Sequence, residues 1–256
     1  MKKIGILVVA YNAQSTLRSV LERIPPEVSK KITEIFVFDD ASQDETYRVG
    51  VECAADLHDG KLSIYRNPVN LMYGGNQRRG YQYAMEKGMD YVVLLHGDGQ
   101  YAPEVMQDLL TPLEEGKADM VMGSRMMVKG AALRGNMPIY KYVGNRILTT
   151  IENLMIGTKL TEFHSGYRAY SVAALRNICL DAMTSNWHFD TQIILNFVKN
   201  GYRVREVPIP TYYGDEICYV NGIPYAWNCV KETTKYALAH RWRTHAALSA
   251  APRPQE

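Results

Sequence analysis

The residues best placed to do chemistry are His96-Gly97-Asp98-Gly99-Gln100, which interrupt a short apolar run, Tyr91–Leu95. Oxygen donors such as Asp98 and Gln100 suit a hard divalent cation, Mg²⁺ or Mn²⁺, whose other positions phosphates and water would fill. His96, if neutral, is a third candidate ligand and favours Mn²⁺ over Mg²⁺; it could instead hydrogen-bond a phosphate. The run itself has the length and composition of a buried parallel strand, and Pro103 is suited to open the next helix. Asp98 is therefore also compatible with a plain capping role.

The elements around this turn decide how it is presented. Ile4–Ala10 reads as a first strand leaving through Tyr11-Asn12. Leu17, Val20, Leu21 and Ile24 then fall at helical spacing, with Ser15 as a cap and Pro25-Pro26 as a stop. A second strand, Glu34–Phe38, ends in Asp39-Asp40-Ala41-Ser42. A helix follows from Asp44 to about Leu57, then a third strand near Leu62–Tyr65. Asn70–Asn76 reads as a turn-rich loop before a helix ending at Gly88. After the Tyr91 strand comes a helix bearing Val105, Met106, Leu109, Leu110 and Leu113. Asp119–Met122 then runs as a strand into Gly123-Ser124-Arg125. This alternation predicts an α/β fold with a doubly wound, mostly parallel sheet. Right-handed crossovers place all parallel carboxyl ends along one edge. Four polar clusters would thus converge: Tyr11-Asn12, Asp39-Asp40, His96/Asp98/Gln100 and Ser124-Arg125. Such convergence is the position of a nucleotide-phosphate site.

The second half is less regular. Ile139, Val143, Ile147, Ile151 and Leu154 share one face of a helix over Pro138–Ile156, which Gly157 ends. Thr161–Tyr170 mixes ionisable groups with aromatics, and Asn186–Asp190 precedes a helical run, Thr191–Lys199. Arg203–Ile209 alternates as a strand, Pro210–Glu216 reads as a mobile loop, and a helix is expected beyond Tyr225. The domain reading is one unit over 1–242, with a nucleotide half at 1–125 and a less regular second half at 126–242, followed by a flexible tail at 243–256.

Composition narrows the class. A hydrophobic fraction of 46% and a charged fraction of 22% are those of an ordinary globular protein. A net charge of +2 without a Lys/Arg block gives no reason to expect nucleic acid. Cys53, Cys179, Cys218 and Cys229 are widely spaced, with no C-x-x-C pair, and read as reduced cytosolic thiols. The Met1–Asn12 stretch reads as a strand rather than a signal peptide, and no segment approaches the roughly 18 apolar residues of a membrane span.

With these pieces in order, the chain resembles the family-2 glycosyltransferases of the GT-A fold, nearest to dolichol-phosphate mannose synthase-like enzymes. The resemblance runs from about Ile4 to Asp215. It rests on Tyr11-Asn12, on Asp39-Asp40-Ala41-Ser42-Gln43-Asp44-Glu45-Thr46, and on the glycine-bearing Asn70–Gly80 loop. It continues through Asp98–Glu104, Gly123-Ser124-Arg125 and Ser165-Gly166-Tyr167-Arg168-Ala169. It implies nucleotide contacts from Ala10, Tyr11, Asn12, Asp39 or Asp40, Asn70, Gly75 and Gly97. It also implies metal ligation by Asp98 and Gln100, and Arg125 at the phosphates of donor or acceptor. Ser165, Arg168 and Tyr213 would lie on the acceptor side. Three departures stand out: Ala13 where the family has Glu, His96 in place of the first acid of D-x-D, and a Tyr212–Glu216 loop less basic than usual.

The activity implied is metal-dependent transfer of a sugar from a GDP- or UDP-sugar, with inversion, to a polyprenyl phosphate at the cytoplasmic membrane face. The helix beyond Tyr225 mixes Tyr225, Trp227, Val230, Tyr236 and Leu238 with Lys231, Lys235, Arg241 and Arg243. That composition suits either an anionic interface or the protein core. A soluble hydroxyl acceptor would instead need a general base; Asp190 is preferred over Glu162, His164 and His188, and an N-cap role is its alternative. Tyr101, Trp187 and Phe189 are candidates to stack on sugar or lipid. Other readings are a nucleotide-sugar-binding relative without catalysis and a nucleotidyltransferase. The latter would carry a glycine-rich basic loop where Ala10–Ala13 stands. A nicotinamide oxidoreductase lacks its G-x-G-x-x-G.

Overall fold

The structure is a computed structural model that describes residues 2–213 and 221–249. Seven strands form one sheet: β1 (Ile4–Ala10), β2 (Glu34–Asp39), β3 (Leu62–Arg66), β4 (Tyr91–His96), β5 (Met120–Ser124), β6 (Arg168–Ser171) and β7 (Val204–Pro208). Their order is β3-β2-β1-β4-β6-β5-β7, and β6 alone runs antiparallel, between β4 and β5. The central strands are apolar without interruption because helices cover both faces. Ile4, Ile6 and Val8 of β1 point to one core, with Leu17, Val20 and Leu21 of α1 (Leu17–Glu22) and Met106, Leu109 and Leu110 of α5 (Met106–Glu114). Leu7 points to the other, with Phe36, Tyr81 of α4 (Met72–Glu86), and Ile193, Ile194 and Phe197 of α9 (Phe189–Lys199). Gly80 lets α4 lie directly on Leu7, whose side chain occupies the space a Cβ would need.

Some expected boundaries move. Pro26 opens a further short helix, α2 (Pro26–Lys31), since a proline at the first helical position gives up an N–H that has no partner there. Between β2 and β3, α3 spans Thr46–Asp56. The Asn70–Asn76 loop is mostly helix: α4 starts at Met72 and contains Gly74 and Gly75, which pack tightly against Phe189 and Leu71. After β5 come α6 (Ala131–Arg134) and α7 (Ile139–Ile156), the latter capped by Gly157 at φ 73°. A short α8 (Val172–Arg176) follows β6, and α10 spans Gly222–Ser249. Residues 243–249, read as tail, therefore belong to α10, whereas 250–256 and residues 214–216 of the late loop lie outside the described residues.

Pairing register builds the site. Ala10 lies opposite Asp39 and Val9 opposite His96, so the exits of β1, β2 and β4 stand side by side at one edge.

Candidate active site

A cleft of about 740 Å³ opens at that edge. Its lining includes Ala10, Tyr11, Asn12, Asp40, Asn70, His96 and Asp98, drawn from four separate segments. The β1 exit is laced to the segment after β2. Asn12 N–H donates to Ser42 Oγ at 2.9 Å, Gln43 N–H to Asn12 Oδ1 at 3.0 Å, and Ala13 N–H to Thr46 Oγ1 at 2.7 Å. Asn12 holds φ 50°, a left-handed conformation that asparagine tolerates well among non-glycine residues. Ala13 is buried in the core, so the position where the family has Glu adds no charge here.

The two adjacent aspartates have different surroundings. Asp39 is fully buried, accepts from the Ser42 N–H and hydroxyl, and lies 3.4 Å from Arg66. Asp40 lines the cleft. Its Oδ1 accepts from Asn67 Nδ2 and from Leu71 N–H, both at 2.8 Å, so it also fixes the start of α4. Burial raises the Asp40 pKa, and these hydrogen bonds oppose the rise.

At the β4 exit, Gly99 takes φ 80° and Gln100 N–H closes the turn on Asp98 Oδ1 at 3.0 Å. Thr16 ties α1 to this turn by donating to Gly97 O at 2.7 Å. Asp98 and Gly99 line the cleft, whereas Gln100 and Gly97 do not. His96 is nearly buried between the rings of Tyr73 and Tyr101, both edge-on, with centroids at 5.6 and 5.1 Å. Its Nε2 has no hydrogen-bond partner. Burial lowers its pKa despite the pull of Asp98 and Asp190, so the ring is neutral at pH 7. His96 lines the cleft beside Asp98 as a neutral imidazole, a donor type that suits a divalent cation of the Mn²⁺ kind. Its unpaired Nε2 is buried against Gly166 and would have to turn outward to reach an ion there. Gly166 is the close neighbour: a Cβ there would sit 2.8 Å from His96 Nε2 and 2.9 Å from the Tyr73 hydroxyl.

Most of the remaining residues of interest lie off the cleft. Asp190 is buried beneath it, accepting from the Tyr73 hydroxyl at 2.7 Å and lying 3.5 Å from Arg168. Arg168 is fully buried and donates to three carbonyls, those of Ser165, Phe163 and Asp190. It holds the loop before β6 against α9 and has no face toward the cleft. Ser165 is likewise buried. Arg125 turns inward onto Glu162, which takes its backbone N–H and its guanidinium, and Arg125 Nη1 donates to the Tyr213 hydroxyl at 3.0 Å. Glu162 remains ionised because Arg125 outweighs the burial that would raise its pKa. Gly75 packs inside α4. Of the aromatic candidates, Trp187 lines the cleft and packs tilted on Tyr73 with centroids 4.6 Å apart, while Tyr101 and Phe189 belong to the core.

Asn76, Tyr73 and Tyr212 are cleft residues that sequence reading left out. Asn76 accepts from Asn67 and donates to Phe38 O. Reading its segment as a loop hid it, since only the helix starting at Met72 puts Asn76 on a buried side.

A sheet of this order, with polar groups from β1, β2 and β4 gathered at one edge, is the GT-A class of glycosyltransferase. Among solved structures, glucosyl-3-phosphoglycerate synthase from Mycobacterium tuberculosis, bound to Mn²⁺, UDP and phosphoglyceric acid, superposes with a TM-score of 0.68 at 14% identity. The match covers 92% of this chain and 78% of that one. The chain belongs to glycosyl transferase family 2, whose model matches residues 5–179. It is 30% identical to the undecaprenyl-phosphate mannosyltransferase of Micrococcus luteus over 92% of this chain and 94% of the relative. It is 28% identical to the UDP-N-acetylglucosamine--dolichyl-phosphate N-acetylglucosaminyltransferase of Methanococcus voltae over 83% and 86% respectively. The enzyme is thus a glycosyltransferase.

Proposed function

We propose that the enzyme transfers a sugar, with inversion, from a nucleotide diphosphate sugar to a polyprenyl phosphate at a membrane surface. The observation that carries the acceptor assignment is the outer face of α6 and α7. Ile139, Tyr140, Val143, Ile147 and Leu154 are exposed there, Leu154 to 81%. From Met126 to Lys159 the charged residues are Lys129, Arg134, Lys141, Arg146, Lys159 and a single acid, Glu152, which is buried. An apolar stripe among cations alone is the composition that settles into an anionic bilayer surface. Ile223 and Trp227 of α10 are exposed as well, to 84% and 71%. Among the described residues no helix is long and apolar enough to cross a membrane, so contact would be peripheral. The α6–α7 connection adjoins the cleft: Tyr213 N–H donates to Gly135 O, and Tyr212 lines the cleft.

The nucleophile follows from the cleft. Asp40 and Asp98 are its carboxylates, and Asp190 is sealed under Tyr73. An alcohol would have no free base beyond the groups assigned to nucleotide and metal. A phosphate needs none, since its second pKa is about 6 and an oxygen is anionic at neutral pH. Asp40, Asn12 and Asn70 would orient the nucleotide, and Asp98 with His96 would hold a divalent cation. Such a cation would neutralise charge on the departing diphosphate. The Tyr73–Trp187 pair walls the sugar side.

Purified enzyme, Mn²⁺ and a panel of GDP- and UDP-sugars are offered short-chain polyprenyl phosphate or soluble alcohols. Transfer to the phosphate is expected. Efficient transfer to an alcohol with none to the phosphate would refute the acceptor assignment.

A further inference from the structure

Away from the cleft, three ligating side chains meet in the interior. Glu152 comes from α7, His164 from the segment before β6 and Cys229 from α10, and their ligand atoms all lie within 4.8 Å of one another. Glu152 and Cys229 are fully buried. We propose that these three residues form a zinc site that pins α10 to α7 and to the loop carrying Glu162 and Gly166.

The polar groups are poorly served without an ion. His164 Nε2 lies 3.1 Å from Glu152 Oε2, but the two approach off-line, and neither Nε2 nor either Glu152 oxygen makes a hydrogen bond. A proton shared between them would serve one nitrogen and one oxygen, leaving the second carboxylate oxygen buried and unpaired, at a cost in stability. A cation bound by His164, Cys229 and both oxygens of Glu152 would serve all of them together. Two further contacts prepare the ligands. The Tyr225 hydroxyl meets His164 Nδ1 at 2.8 Å, the outer contact that orients a ligating imidazole through its other nitrogen. The Thr191 hydroxyl donates to Cys229 Sγ at 3.3 Å and so orients it.

The donor set selects the metal. One sulfur, one imidazole nitrogen and one carboxylate oxygen suit borderline-soft Zn²⁺, whereas Mg²⁺ prefers oxygen throughout. Thiolate and carboxylate together cancel the charge of Zn²⁺, so the loaded site is neutral in its buried setting. Ligands around a tetrahedral zinc stand roughly 3.3–3.8 Å apart, so small side-chain rotations must close the cluster.

The test is metal content, which reads independently of sugar transfer. The full chain, purified without chelator and dialysed, is expected to carry about one zinc per chain. Cys229→Ala and Glu152→Gln should each lower retained zinc at least tenfold, while Asp98→Asn, in the cleft, should keep it. Cobalt exchanged into the wild type should show a thiolate-to-cobalt charge-transfer band that Cys229→Ala lacks. Chelation should lower the melting temperature of the wild type, with recovery on adding Zn²⁺, and leave that of Cys229→Ala unmoved. A folded wild type that neither carries zinc nor takes up one equivalent on titration would overturn the site. Retention of zinc by folded Cys229→Ala would do the same.

Discussion

At the residue scale, His96 stands where the family has an acid, and its surroundings explain how that is tolerated. A carboxylate at this depth would be an anion between Tyr73 and Tyr101, whereas a neutral ring packs edge-on between them. The same burial gives a pH signature. An unfolded histidine binds its proton near pH 6.5. The folded pKa of His96 is lowered, so below about 6.5 the unfolded chain takes up a proton that the folded chain refuses. The associated stability is therefore present above pH 6.5 and lost as pH falls toward the folded pKa. Urea denaturation at pH 7.5 and 5.5 should show a fall in stability between the two. His96→Gln should reduce that fall by at most about 1.4 kcal/mol, the most that one proton can contribute between about pH 6.5 and 5.5. An identical pH dependence in the variant would exclude His96 as the source. Asp39 and Asp40 carry the residue-scale lesson about reading sequence. Both stood as nucleotide candidates because the pattern D-D cannot say which carboxylate the turn faces inward. The structure turns Asp39 to Ser42 and Arg66 and leaves Asp40 at the cleft.

At the scale of elements, alternation and turn residues made the sheet legible, since each central strand is an unbroken apolar run between polar exits. What period cannot reveal is the environment of a face. The stripe on α7 has helical spacing, and the same spacing serves a core helix and an interfacial one. Only the packing shows that its buried side consists of Leu148, Thr149 and Glu152 while Ile139, Ile147 and Leu154 face outward. Likewise, the resemblance put Arg125 at the phosphates and Arg168 on the acceptor side, whereas the structure turns them inward onto Glu162 and onto backbone carbonyls that include that of Asp190. The exposed stripe gives a clean test. Ile147→Glu with Leu154→Glu removes no buried contact, so stability should change by about 0.5 kcal/mol or less per site. Flotation with vesicles rich in anionic lipid should fall severalfold, and nucleotide binding should persist. Undiminished flotation would assign the stripe to some other contact.

At the scale of the whole molecule, the exits of β1, β2 and β4 line the cleft together with Asn186, Trp187 and Tyr212 from late in the chain, while α7 presents the apolar face. Between the two lies the contact of Gly135 with Thr211 and Tyr213. The cleft is assembled largely by hydrogen bonds among loops: Asn12 to Ser42, Thr16 to Gly97, and Asp40 to Leu71. A nucleotide diphosphate bound with metal would contact several of these loops at once, so it should stabilise the native state as a unit. At a ligand concentration of about 100 times Kd the gain is about 2.7 kcal/mol. For a chain of this size each kcal/mol raises Tm by roughly 2–4 °C. Wild type with saturating GDP or UDP and Mn²⁺ should therefore melt several degrees higher than protein alone, with the larger shift identifying the preferred base. Metal dependence is the discriminating feature, because loop contacts to the nucleoside persist in chelator whereas those through Asp98 do not. Asp98→Asn should lose the increment that Mn²⁺ adds and keep the smaller shift seen in chelator. Equal losses in both conditions would show that Asp98 acts by shaping the turn, through its bond to Gln100, and not by holding the ion.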